Sequence, residues 1–238
     1  MPSALQSDTG PGFEGETRVK QTQVLLVGTD PDNPRGGIAF AIQGYARALE
    51  HQGLFAGMVT SHRVDGRFRV VVPMLKAAPR LVASIRRLKR EGVEPVVYAH
   101  AGGHLSILRQ ATLLALARRA GARTMIQLHS ADIGTIVQDR LQRRVLQRVL
   151  RSVERVCVLL PYWSRQIQEI GGVRPVSVVP NPLPESLEQV ANTARTFQRT
   201  GGPLKVLALT RLVDGKGVDL AVEAMRYVTD DFLLQIAG

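Results

Sequence analysis

From residue 21 onward, short Val-rich apolar runs alternate with longer amphipathic stretches, and this alternation constrains the fold more than any other feature of the chain. The runs are VLLVG (24–28), FAGMVT (55–60), FRVVVP (68–73), PVVYAH (95–100), TMIQLH (124–129), RVCVLL (155–160) and PVSVVP (175–180). Short, bounded and largely apolar, they read as strands of a parallel sheet covered on both faces. The stretches between them have helical spacing. Residues 38–52 carry Ile38, Ile42, Tyr45, Ala46 and Leu49 on one face. Residues 104–120 carry Leu105, Leu108, Leu113, Leu116 and Ala117, then stop at Gly121 as at a glycine C-cap. The repetition predicts a doubly wound α/β domain over 21–180. Ligands of such sheets lie at the carboxyl ends of the strands, so the loops after the strands are where chemistry is expected.

After Pro180 the pattern breaks. Residues 181–203, NPLPESLEQVANTARTFQRTGGP, are poor in apolar residues and end in Gly-Gly-Pro, which reads as a linker with room for one short helix. A second cycle then begins: strand LKVLALT (204–210), loop RLVDGKG (211–217), helix VDLAVEAMRYV (218–228), strand FLLQIAG (232–238). One such unit cannot bury a sheet on both faces, so 204–238 reads as the start of an incomplete second domain. The length of 238 residues suits one to one and a half domains. The first twenty residues lack the apolar stretch of a secretory signal and read as a flexible polar tail. A single cysteine, Cys157, excludes a disulfide framework within the chain and suits a reducing cytoplasm. No apolar run approaches the ~18 residues of a membrane span.

Three loops carry candidate chemistry. In the first, Gly28 to Phe40, Gly36 and Gly37 sit between the first strand and its helix, where bare backbone N–H groups can approach a phosphate or sugar. The loop is neither a P-loop nor G-x-G-x-x-G, and a turn that merely needs glycine is the competing reading. Asp30 and Asp32 form an Asp-x-Asp that could clamp a divalent metal, but their Pro and Asn neighbours favour a solvated turn. In the second loop, His129 ends the fifth apolar run and faces the expected ligand crevice; His100 and His104 lie at the end of the preceding one. An imidazole there can bond a sugar hydroxyl or be an ordinary structural histidine. In the third, T-R-L-V-D-G-K-G (210–217), Arg211 and Lys216 follow a strand and flank a helix start, an arrangement that suits a diphosphate or a solvated basic loop.

Together these pieces resemble the family-4 retaining glycosyltransferases of the GT-B fold, over about residues 23–238. The resemblance rests on the Gly-Gly loop, Leu-His at 128–129, V-V-P-N at 178–181, and V-L-A-L-T-R-L-V-D-G-K-G-V-D-L-A-V-E-A at 206–224. It implies two Rossmann-like domains facing across a cleft: a complete N-terminal acceptor-side domain and the first strand–helix–strand of a donor-binding one. By position, Gly36 and Gly37 are expected near the donor phosphates and transferred sugar, and His129 as the active-site residue on that sugar. Arg211 and Lys216 are expected to hold the diphosphate in place of a metal, so no cofactor is implied beyond the nucleotide-sugar substrate. The expected reaction moves a sugar, of hexosyl type, to a sugar or lipid-linked acceptor hydroxyl with retention, in polysaccharide or glycolipid synthesis. Two departures bear on this. The family's Glu–seven residues–Glu motif does not occur within 204–238, and Asn181-Pro182 replaces the usual Asn-Gly. The chain alone is therefore expected to be inactive. The alternative is a non-catalytic acceptor- or membrane-binding half of a truncated or split enzyme.

The formal charge of +11, from 31 Lys+Arg against 20 Asp+Glu, calls for an anionic partner. Arg140, Arg144, Arg148, Arg151 and Arg155 recur at spacings of three and four, as one helical stripe beside Leu141, Val145, Val149, Val153 and Val156. Residues 75–92 add Lys76, Arg80, Arg86, Arg87, Lys89 and Arg90 against Glu91. Basic amphipathic helices suit anionic lipid, which predicts a cytoplasmic protein peripheral at the inner face of the membrane, with arginines toward headgroups and the apolar stripe toward the core. With 5% aromatics and no zinc module, nucleic acid is the weaker candidate.

Overall fold

The structure is a computed structural model that describes residues 21–32, 37–63, 71–129, 133–171, 175–183, 185–193, 202–210, 212–229 and 231–238. The expected tail, Gly36 and Arg211 lie outside these residues. The chain divides into two units, 1–191 and 192–238.

The first unit is a six-stranded parallel sheet. Its strands are β1 (Thr22–Thr29), β2 (Phe55–His62), β3 (Glu94–Ala101), β4 (Arg123–Leu128), β5 (Arg155–Val158) and β6 (Val176–Val178), in the spatial order β2-β1-β3-β4-β5-β6. The helices are α1 (Gly37–His51), α2 (Val71–Arg90), α3 (His104–Arg119), α4 (Ile133–Gln138), α5 (Arg140–Arg151), α6 (Pro161–Glu169) and α7 (Glu185–Thr193), the last running past the division between the units. Alternate strand residues enter two separate cores, as the two-residue period of a strand requires. Val24 and Leu26 of β1, Val96 and Tyr98 of β3, and Cys157 of β5 pack with Ile42 and Tyr45 of α1. Leu25, Val27, Val97, Ala99, Ile126, Leu128, Val156 and Val158 pack on the opposite face, under α2, α3, α5 and α6. Gly28 allows α1 to lie close: a Cβ there would come 2.5 Å from Ile42 Cδ1.

Three expectations need correction. The described part of the run FRVVVP is helix, not strand. Residues 64–70 lie outside the described set, and Val71, Val72 and Pro73 form the first turn of α2. Pro73 suits that first turn, where the N–H groups of a helix have no internal partner to lose. His129 therefore follows the fourth strand, not a fifth. The arginine stripe is also shorter than expected. α5 ends at Arg151, and Arg155 begins β5, its guanidinium 3.4 Å from Ser177 Oγ. Finally, Leu105 and Leu108 of α3, and Leu141 and Val145 of α5, point outward instead of into the core. Ile107, Leu113, Leu114 and Ala117 of α3, and Leu146, Val149 and Leu150 of α5, take the buried positions.

The second unit has β7 (Leu204–Leu209) paired in parallel with β8 (Phe232–Ala237), joined by α8 (Val218–Ala224) and a 3-10 turn at Met225–Tyr227. None of its described residues is buried. That is what a two-stranded sheet with one short helix allows.

Candidate functional site

Beyond the carboxyl end of β4, the expected His129 meets a second histidine, on β3, to which sequence reasoning assigned no role. His100 lies in β3 and is 1% exposed. The β3–β4 register sets His100 opposite Gln127, so His129, two residues further on, is its diagonal neighbour on the same face. The backbone N–H of His129 donates to Ala101 O at 2.8 Å, extending the ladder by one bond. The rings meet: His100 Nδ1 lies 2.9 Å from His129 Nε2, and the ring centroids are 5.2 Å apart.

This imidazole pair is embedded in an aromatic and amide cluster. Tyr45 of α1 and Tyr98 of β3 lie 4.9 and 4.7 Å from the His100 ring, centroid to centroid. Tyr98 donates its hydroxyl hydrogen to Gln127 Oε1 at 2.5 Å. Gln127 Nε2 donates to Val179 O at 3.0 Å, and Tyr45 donates to Pro180 O at 3.0 Å. The V-V-P-N segment is thus tied by its carbonyls to the strand ends beside the histidines. On the other face, Gln110 Nε2 donates to His100 O at 3.1 Å and to Ser61 Oγ at 2.9 Å, and Ser61 donates to Gly28 O at 3.2 Å. These bonds fix the ends of β1, β2 and β3 relative to one another.

Burial sets the charge state of the pair. It pushes the His129 imidazole down to about 4. Burial, then repulsion from His129, pushes His100 well below the usual histidine range. At neutral pH both rings are uncharged, one donating to the other. His129 Nδ1 and His100 Nε2 have no hydrogen-bond partner among the described residues. A neutral His129 is equipped to donate to or accept from a hydroxyl, not to neutralise a phosphate. Burial also raises Tyr45 to about 12 and pushes Tyr98 and the Cys157 thiol upward, so these groups stay protonated.

The remaining expected residues are placed as follows. Gly37 is the first residue of α1, and an added Cβ would meet nothing within 4 Å. It lines a cleft of about 440 Å³ with Phe40, Ala41, Asn181, Pro182 and Leu183. Asp30 is not a solvated turn residue. It is 8% exposed, and Arg63 Nε donates to its carboxylate at 3.0 Å. Lys216 lies in the second unit on the loop before α8, exposed, between Gly215 (φ +78°) and Gly217 (φ +71°). The backbone alone accounts for those two glycines, since both take the left-handed conformation. His104 is the first residue of α3.

His100 had a signal in the sequence. Tyr98-x-His100 and Gln127-x-His129 put polar groups at alternate positions of runs that are otherwise apolar, hence on one face of neighbouring strands.

Neither a family model nor a curated protein sequence matches this chain. Solved structures do match by shape. Anabaena HepE in complex with UDP and glucose aligns with a TM-score of 0.52 at 13% identity, over 91% of this chain and 61% of that one. The HepE complex with UDP gives 0.53 at 14% identity, over 90% of this chain and 60% of that one. The fold is GT-B-like. The chain spans about three fifths of the length of the HepE chains it resembles.

Proposed function

We propose that this chain belongs to a retaining glycosyltransferase, of hexosyl type, that moves a sugar from a nucleoside-diphosphate donor to an acceptor hydroxyl. The first unit is the acceptor side and the second the beginning of the donor side. The acceptor is a polysaccharide or a lipid-linked sugar, met at the inner face of a membrane. The observation that carries the reading is the buried, neutral His129–His100 pair at the carboxyl end of a sheet whose structural relatives hold UDP and glucose.

In the reaction, the bond from the sugar's anomeric carbon to the diphosphate oxygen breaks. A bond from the same carbon to the acceptor oxygen forms on the same face. The acceptor proton passes to the departing diphosphate, on which negative charge grows. Gly37, where an added Cβ would meet nothing within 4 Å, leaves room for the donor phosphates and sugar beside the start of α1, the role expected of Gly36 with it. His129 bonds a hydroxyl of the transferred sugar through its Nδ1, which has no partner among the described residues. Arg211 and Lys216 hold the diphosphate and stabilise the charge that builds there, the task a metal performs elsewhere.

Ligand-observed saturation-transfer NMR of UDP-glucose with the 238-residue protein tests this directly. His129→Ala is expected to weaken transfer to the glucosyl protons, and Lys216→Ala to weaken binding as a whole. No contact with any of a panel of nucleotide sugars would overturn the reading.

A further inference from the structure

The end of β2 and the start of α2 enclose a basic pocket to which the transferase reading gives no role. It has a volume of about 130 Å³ and is lined by Thr60 and Arg63 at the end of β2 and by Val72, Pro73, Lys76 and Arg80 of α2. That is roughly ten times the space one water needs, so a group of several heavy atoms fits. Lys76 and Arg80 stand four residues apart on one face of α2, where two like charges repel. α2 contains no acidic residue, and among the described residues neither cation has a carboxylate partner. Arg63 is paired at 3.0 Å with the largely buried Asp30, yet its own side chain is 65% exposed. The pocket thus gathers three cations against one carboxylate, an excess of two positive charges. Val72 and Pro73 place it at the amino end of a helix of 20 residues, which favours an anion further.

An excess of two fits one chemical group better than its rivals. A phosphomonoester carries about −1.5 to −2 charge near neutral pH and offers three strong acceptor oxygens. A carboxylate offers one charge and two oxygens, and a neutral sugar offers no charge. The guanidinium forks of Arg63 and Arg80 match phosphate geometry, and Lys76 adds a point charge. Val72, Pro73 and Thr60 supply an apolar wall and a hydroxyl for the atoms beyond the phosphoryl group, which a bare inorganic ion would leave unused.

The pocket is separate from the groups proposed for the donor: Gly37, His129 and Lys216 do not line it. It lies at the carboxyl end of the sheet, as His129 does, but β2 is the edge strand and β4 stands three places across in the order β2-β1-β3-β4. That is roughly 14 Å at ~4.8 Å per strand. A group held there is remote from the reacting hydroxyl and contributes binding and orientation rather than chemistry.

We propose that this pocket binds a phosphoryl group carried by the acceptor, held by Lys76, Arg80 and the Asp30-paired Arg63. The assignment to the acceptor rests on the transferase reading; the phosphoryl site stands on charge and shape alone.

The test is calorimetric titration of the 238-residue protein with glucose 6-phosphate, glucose, glucuronate and inorganic phosphate, at physiological ionic strength, where the Debye length is about 8 Å. Glucose 6-phosphate is expected to bind at least about tenfold more tightly than glucose or glucuronate, and about threefold more tightly than inorganic phosphate. Lys76→Gln with Arg80→Gln should weaken it at least about tenfold, the scale of a lost hydrogen bond to a charged group. Both side chains are exposed, so the fold is kept; Arg63 stays in place because its loss would strand the buried Asp30. Arg86→Gln with Arg90→Gln removes the same charge further along the same helix and should weaken binding less than about threefold. Equal loss in the two pairs would mean that the helix attracts anions by charge alone, and would overturn the proposal. So would glucuronate or inorganic phosphate binding as tightly as glucose 6-phosphate, or no binding of glucose 6-phosphate at all. UDP-glucose in the same titration keeps the two readings apart. Glucose 6-phosphate bound without UDP-glucose leaves the phosphoryl site standing and strikes the acceptor assignment with the transferase; UDP-glucose bound without glucose 6-phosphate strikes the pocket alone.

Discussion

The buried imidazole pair makes the stability of the first unit depend on pH in a way that can be isolated. The perturbation is His129→Gln, which keeps a polar side chain of similar reach and removes the titration. In the folded protein burial holds His129 at about 4, whereas in the unfolded chain it titrates near the ordinary ~6.5. Between these values the unfolded chain binds more protons than the folded one. Stability is therefore fully present above about pH 6.5 and is lost as the pH falls toward about 4. At pH 5 the unfolded chain has gained about one proton at this site and the folded chain about a tenth of one, which amounts to about 2 kcal/mol lost relative to pH 8. His100, pushed down by the same burial, acts in the same direction. Urea unfolding at pH 8 and pH 5, for the natural protein and the variant, reads the difference free of the carboxylates that titrate in both. His129→Gln should lose about 2 kcal/mol less than the natural protein over that interval. Identical pH dependence in the two proteins would mean that His129 titrates alike folded and unfolded, and the buried neutral pair would be wrong.

Other expectations follow from the same geometry. In a longer chain that completes the donor side, His129→Ala should lower turnover about a hundredfold in steady-state assays. Gly44→Ala should destabilise by about 1–3 kcal/mol in chemical denaturation. The gain in helix propensity is outweighed because the new Cβ would fall 2.7 Å from Pro182 Cγ and 3.2 Å from Pro182 O. Leu113→Ala, at a core position that is 0% exposed, should cost about 2–5 kcal/mol by the same measurement. Cys157, 1% exposed and with its thiol pushed up by burial, should resist alkylation at pH 8 until denaturant is added.

How much of this was legible in the sequence differs between the sheet, the helices and the site. The sheet was legible because its signal is local: all but one of the seven apolar runs became strands, and the described part of the exception, Val71–Pro73, opens α2. The inward faces of α3 and α5 were legible only in part: Leu113, Ala117 and Val149 are buried as expected, but apolar residues surround much of each helix and only the neighbouring helices decide which others are covered. Leu108 and Leu113 look alike in sequence; the second is buried in the core and the first lines an open groove. The arginine stripe was read one turn too long, since spacing continues through Arg155 while the backbone has already turned at Ser152.

The site lies between these cases. His129 was found from its place after a strand, but the group that conditions it sits on the adjacent strand, and no loop motif contains both. What joins them is parity. Tyr98, His100, Gln127 and Cys157 occupy alternate positions of β3, β4 and β5, all facing α1, and His129 continues that series just beyond the end of β4. The opposite parity is filled by Val97, Ala99, Ile126, Leu128, Val156 and Val158. One face of the sheet therefore carries the packing that holds the strands. The other trades part of that packing for a connected polar cluster whose unpaired nitrogens lie at the strand ends. A buried cluster of this kind is tolerable only when nearly every member has a partner. Tyr45, Tyr98 and Gln127 meet that condition through each other and through the carbonyls of Val179 and Pro180. Among the described residues the two imidazoles do so only by half, since His129 Nδ1 and His100 Nε2 find no partner there, and the proposed bond from His129 to a sugar hydroxyl rests on that.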